Sequence, residues 1–225
     1  CTPPYHEISL PKVSLTEKVT NLEIIEEIYK RQDEIISSIS RESVDVYLWL
    51  KDEYKKGNVK DNLFQFVFRS FYGLDNAGLT NKQKMKYFEL LANKETNLET
   101  ILHELYELPT LRRKKSIQFS FTTKLLHTID NSKPIFDKEV SAVIHKTRTG
   151  NNKEEKIKSA KNLYAYLEDL YPKLIGDKKV QKVINKFRSK SEFGDDAKTI
   201  SDQKVLDFLI WSLGKLKRKK KDTLD

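Results

Sequence analysis

The sequence has one cysteine, Cys1, in 225 residues, which excludes an internal disulfide and any cysteine zinc centre. The first position leaves open a cleaved or lipidated N-terminus, while so thiol-poor a chain is expected in the reducing cytoplasm. No stretch approaches the roughly 18 apolar residues that a membrane-spanning helix needs. The four histidines, His6, His103, His127 and His145, lack the His-x-x-x-His and His-Glu-x-x-His spacings of metal sites, so no metal is expected. Neither a Gly-x-x-x-x-Gly-Lys-Ser/Thr loop nor a Gly-x-Gly-x-x-Gly turn occurs, and no cofactor is expected. Acidic residues are in deficit, 33 against 42 lysines and arginines, for a formal charge of +9.

That excess is uneven. Arg112-Arg113-Lys114-Lys115 and the run from Lys215 to Lys221 hold much of it, which favours a polyanionic partner over lysines that only solubilise helices. With 38% hydrophobic and 10% aromatic residues, the chain can bury a core.

Taken in order, residues 1–13, with Pro3, Pro4 and Pro11, read as an extended arm. Ser14-Leu15-Thr16-Glu17 matches a capping box, and Leu15, Val19, Leu22, Ile25, Ile28, Ile35 and Ile39 follow at helical spacing, predicting a helix or helix pair over 14–40. A further helix over 43–56 stops at Gly57. The aromatic segment Leu63 to Tyr72 alternates at Phe64, Phe66 and Phe68 as a strand would, but no hairpin partner follows, and it reads as a buried helix. Thr80 caps a helix with Met85, Tyr87 and Phe88; another covers 97–107. Helices are then predicted over 154–171, ended by Tyr171-Pro172, around Val180 to Phe187, and from Ser201-Asp202 through Leu216. With no strand–turn–strand signals and no repeat, the fold class is all-α and multi-helix: one helical domain over 14–216, or two closely joined lobes, with a basic C-terminal tail at 217–225.

The best functional clue lies at residues 116–144. An apolar helix through Leu125, Leu126 and Ile129 runs into Asp130-Asn131-Ser132-Lys133-Pro134, and a second helix begins at Asp137 with Val140, Val143 and Ile144 behind it. One carboxylate is thereby set at a helix N-terminus, a short connection from the basic run. The plain alternative is that Asp137 is an N-cap and nothing more. His127 likewise reads as a core histidine, and the 64–72 aromatics as packing.

Leu108-Pro109, the basic loop after it, the helix from Phe121 to Ile129 and Pro134-Ile135-Phe136-Asp137 with Val140 resemble the helix-hairpin-helix DNA glycosylases, the superfamily that includes the 8-oxoguanine-excising enzymes. Here Leu111-Arg112-Arg113-Lys114-Lys115 stands in place of the family's Gly-Val-Gly hairpin. The resemblance implies a cleft between two helical lobes, an essential acid at Asp137, and DNA-backbone contacts from Arg112, Arg113, Lys114, Lys115 and Lys133. It also implies a base pocket walled by Phe119, Phe121, His127 and Phe136. The lysine that bifunctional members use would fall near Phe119, Ser120 or Phe121. Lys124 lies about a turn further on, so the resemblance points to the monofunctional branch, with Lys124 as second catalytic candidate.

In such an enzyme the flipped base stacks on aromatic walls while one carboxylate stabilises the oxocarbenium-like sugar and orients water. The expected protein is therefore a monomer that excises a modified or damaged base from double-stranded DNA, in repair or in defence against phage. The rival readings are a catalytically inactive DNA- or RNA-binding relative and a helical interaction module with an acidic partner protein.

Overall fold

The computed structural model describes the backbone of residues 15–112 and 114–222 and the side chains of 21–112 and 114–219. The N-terminal arm, Ser14 of the capping box and Arg113 lie outside the described residues. Among the described residues the regular structure is wholly helical. The segment expected over 14–40 is two helices, α1 (Leu15–Lys30) and α2 (Gln32–Ser37), parted at Arg31, whose guanidinium bonds Glu34 at 2.8 Å. Ile24, Ile25, Ile28, Ile35 and Ile36 are buried, but Leu22 faces solvent, against the predicted stripe.

Next come α3 (Arg41–Lys55), α4 (Asn62–Tyr72), α5 (Asn81–Ala92) and α6 (Leu98–Glu107). Their starts follow local chemistry: Ser40, Asp61, Thr80 and Asn97 each accept a backbone N–H of the first turn, and Thr80 completes a capping box with Gln83. The aromatic α4 is amphipathic rather than buried. Phe64, Phe68 and Tyr72, four apart, enter the core against Tyr87 and Phe88 of α5, while Leu63 and Phe66 are exposed. Met85, expected within the apolar face of α5, is also exposed.

The second half comprises α7 (Phe119–Ile129), α8 (Lys138–Ile144), α9 (Lys153–Ile175), α10 (Lys178–Ser189) and α11 (Asp202–Asp222). Pro172 does not end α9, which continues to Ile175. The buried stripe of Leu163, Leu167, Leu170, Tyr171 and Leu174 continues past the proline, and both Pro172 and Glu168, whose carbonyl loses its helical N–H partner there, are exposed residues. Likewise α11 passes Leu216, its expected end, into the expected tail, and Lys217 and Arg218 form ion pairs with Glu27 and Glu139.

The helices α3 to α6 pack on one another and on α7, whereas α1 and α2 return to pack with α10 and α11, and α8 lies along α11. A continuous core joins both groups. Gly214 of α11 makes the α8 approach close: a Cβ there would sit 2.7 Å from the Glu139 carbonyl carbon.

Candidate functional site

The Thr123 hydroxyl ties the end of the break between α7 and α8 back to α7. The Phe136 backbone N–H donates to Thr123 Oγ1 at 3.0 Å, which ties the incoming chain to the middle of α7. Directly after it, Asp137 takes extended backbone angles and caps α8, its Oδ1 accepting the N–H groups of Glu139 at 2.9 Å and Val140 at 3.0 Å. Both capping bonds use Oδ1, and Oδ2 has no hydrogen-bond partner among the described residues. Burial pushes the Asp137 carboxyl above the ordinary carboxylate range, opposed by the Lys124 ammonium and the capping N–H groups.

Lys124 is 8% exposed, and its amine donates to the Tyr72 carbonyl at 3.1 Å between the rings of Tyr72 and Phe121. Burial lowers its pKa below the ordinary lysine value, opposed first by the charge of Asp137 and then by that of Asp207. The two sequence-derived catalytic candidates are thus electrostatic neighbours at the junction of α7 and α8.

The expected base-pocket residues are all buried. Phe119 faces Phe136 at a centroid distance of 5.0 Å and Tyr164 edge-on at 6.3 Å, and the Phe121 carbonyl accepts the Tyr87 hydroxyl at 3.0 Å. The concavity beside α7 has other walls: Tyr47, Leu50 and Lys51 of α3, Phe68 and Tyr72 of α4, and His127, Thr128 and Asn131. Of the four expected residues, only His127 lines it. Lys124 does not line it, although Tyr72, one of its walls, accepts the Lys124 amine at its backbone carbonyl.

Sequence reasoning missed the charges behind this wall. Lys204 and Asp207, 2% and 6% exposed, form an ion pair at 2.7 Å within α11. The Lys204 amine also lies over the rings of Tyr47, at 4.8 Å, and Phe208, at 4.5 Å. The available signal was spacing: Lys204, Phe208 and Trp211 share a helix face in an otherwise apolar run. Glu139 is buried too, with Oε1 held by Arg218 at 2.6 Å and Oε2 unpartnered among the described residues.

The basic residues divide. Arg112 and Lys114 are exposed and make no ion pair among the described residues. Lys115 pairs with Glu107 at 2.6 Å and Lys133 with Glu168 at 2.8 Å. The loop after α6 that carries Arg112, Lys114 and Lys115 is fastened by the Thr110 N–H on the Lys114 carbonyl and the Leu111 N–H on the Gly78 carbonyl. Among the described residues no group of three or more His, Cys, Asp or Glu side chains could hold a metal ion, and no helix is long and apolar enough to cross a membrane. Comparison of the chain with protein-family models, with curated proteins and with solved structures finds no match.

Proposed function

We propose that the chain is a DNA glycosylase of the helix-hairpin-helix type that hydrolyses the N-glycosidic bond of a modified or damaged base flipped out of duplex DNA. One observation carries the reading: Asp137 caps α8 with Oδ1 alone, which leaves Oδ2 without a partner among the described residues and within the electrostatic reach of the buried Lys124 amine. Capping and catalysis therefore use different oxygens of one side chain. In the reaction the C1′–N bond breaks with its electron pair leaving on the base, and a water oxygen bonds C1′. The proton of that water passes by way of the carboxylate to the departing base. Asp137 stabilises the cationic sugar and orients the water. The reading requires a substrate cleft to open at Asp137, with Arg112 and Lys114 as phosphate contacts.

Lys124 supports a second reading within the same class. Burial keeps more of its amine neutral than at the surface, as attack on C1′ and Schiff-base formation require.

The test is incubation of the full chain with duplexes carrying single lesions or modified cytosines, with chromatography of released bases and alkali treatment of the strand. Free base with alkali-labile sites is the expected result, and a covalent adduct trapped by borohydride would move the assignment to Lys124. Salt-dependent DNA binding without release would identify an inactive binder. Neither binding nor release would leave the interaction module.

A further inference from the structure

The connection between α8 and α9, residues 145–152, carries a cation that the fold leaves unanswered. Arg148 is half-buried, with its guanidinium over the Phe119 ring at 5.7 Å. That contact uses the face of the guanidinium and none of its five N–H donors. Among the described residues those donors meet no hydrogen-bond acceptor and no carboxylate. The other partly buried arginines of the described residues, Arg31, Arg69, Arg188 and Arg218, each pair with a carboxylate. Burial lowers the pKa of Arg148 below the ordinary arginine value, so its charge has lost part of its water without gaining a counter-charge.

The loop that presents Arg148 is fastened on both sides of it. Ser141 Oγ donates to the Lys146 carbonyl at 2.7 Å, and the Thr149 N–H donates to Ser159 Oγ at 2.9 Å. Gly150, at φ +128°, lies so close to α9 that a Cβ there would sit 2.8 Å from the Lys156 nitrogen. The carboxylates at hand are already engaged. Glu155 accepts the Asn151 N–H and the Asn152 side-chain amide, and Glu107 is shared by Lys115 and Lys153. Because Lys115 belongs to the basic loop and Lys153 begins α9, Glu107 also draws the two connections together. Arg112 and Lys114 on the first, and Lys146 on the second, are exposed and make no ion pair among the described residues. Lys146 lies over the Tyr166 ring at 4.6 Å.

We propose that Arg148 is an anchoring phosphate contact for nucleic acid, its N–H fork closing on two oxygens of one backbone phosphate while Arg112, Lys114 and Lys146 meet neighbouring phosphates. A planar guanidinium held on an aromatic ring suits bidentate recognition of phosphate, which a lysine cannot reproduce. Exposed cations spread over two adjoining connections match a polymer that carries a charge on every unit. The inference rests on the DNA-binding part of the proposed function and adds to it a residue that holds the strand. Its place fits that reading, because Phe119, beneath Arg148, faces Phe136 at 5.0 Å, and Phe136 directly precedes Asp137.

The experiment titrates the full chain, Arg148→Ala and Arg148→Lys with a fluorescent duplex over a series of salt concentrations. Arg148→Ala should bind about tenfold or more weakly and lower the slope of log K against log salt by about 0.9. Arg148→Lys keeps the charge but not the fork, so the slope should hold while most of that affinity is lost. In the unaltered chain the Nε nitrogen resonance of Arg148 should move as duplex is added, and it decides alone should the variants not fold. An unchanged slope in Arg148→Ala, a resonance that stays in place while DNA binds, or no binding of DNA overturns the contact, whether or not any base is released. A resonance moved by polyglutamate and not by duplex overturns it as well, in favour of an acidic protein partner. The expected changes in a protein that releases no base from any DNA leave the contact standing and remove the glycosylase reading.

Discussion

At the scale of the residue, Asp137 separates two roles by substitution. Asn caps about as well as Asp, so Asp137→Asn should keep stability within about 0.5 kcal/mol while excision falls about a hundredfold or more with the missing charge. Asp137→Ala should lose about 1 kcal/mol of capping as well, read as a drop in melting temperature of about 2–4 °C. An Asn variant that releases base at the unaltered rate removes Asp137 from the chemistry. His127 makes a pH prediction of definite sign. Its pKa falls from about 6.5 to about 3 on folding, so between those values the unfolded chain holds a proton that the folded chain does not. The stabilisation is fully present above pH 6.5 and is lost as pH falls toward 3, at up to about 1.4 kcal/mol per pH unit. Urea titrations from pH 7 to 4 should therefore be steeper in pH for the unaltered chain than for His127→Asn. Asp137 contributes with the opposite sign, since its raised pKa favours the folded state at low pH, but it is common to both proteins. For the buried pair, Lys204→Met alone should cost about 3–5 kcal/mol by stranding Asp207, and Lys204→Met with Asp207→Leu should recover most of that. Additive losses in urea melts would show that the two charges do not interact.

Among elements, the contact of α8 with α11 decides where Asp137 stands. A methyl at Gly214 would meet the Glu139 backbone, so Gly214→Ala should force α8 outward and cost about 1–3 kcal/mol. Excision should fall with it, because α8 carries Asp137 at its first turn. Lys215→Ala, one residue on and exposed, is the control and should stay within about 0.5 kcal/mol. Equal melting temperatures for the two variants would mean that α8 is not seated by this contact. Pro172 teaches a related lesson, since a helix tolerates proline on its exposed side where the apolar stripe continues beneath.

For the whole molecule, net charge overstates the surface available to a polyanion. Lys115, Lys133, Lys217 and Arg218 are already engaged by Glu107, Glu168, Glu27 and Glu139. Replacing Arg112 and Lys114 with Ala should lower the slope of log K against log salt for duplex DNA by up to about 0.9 for each phosphate no longer neutralised, whereas Lys115→Ala with Lys133→Ala should change it less. Equal changes in the two double variants, measured by fluorescence titration, would contradict that division.

Periodicity and capping are local, and so the sequence by itself determined the helical class, the starts of α5 and α6, and the placing of Asp137 at the head of α8, while α3 begins at Arg41, two residues before its expected start. The lack of a hairpin partner likewise sufficed to read α4 as a helix against the strand-like alternation of Phe64, Phe66 and Phe68, though not to show that Phe66 would face water. Tertiary structure decided the rest. The partners of Lys204 include Tyr47, from a helix more than 150 residues earlier, and the tautomer of His127 depends on a carbonyl in the following break. Arg218 reaches Glu139 only because Gly214 lets α8 lie against α11. Burial turns a lysine, an aspartate and a histidine from solvated side chains into groups with shifted protonation, and burial depends on which helices meet, which local periodicity does not encode.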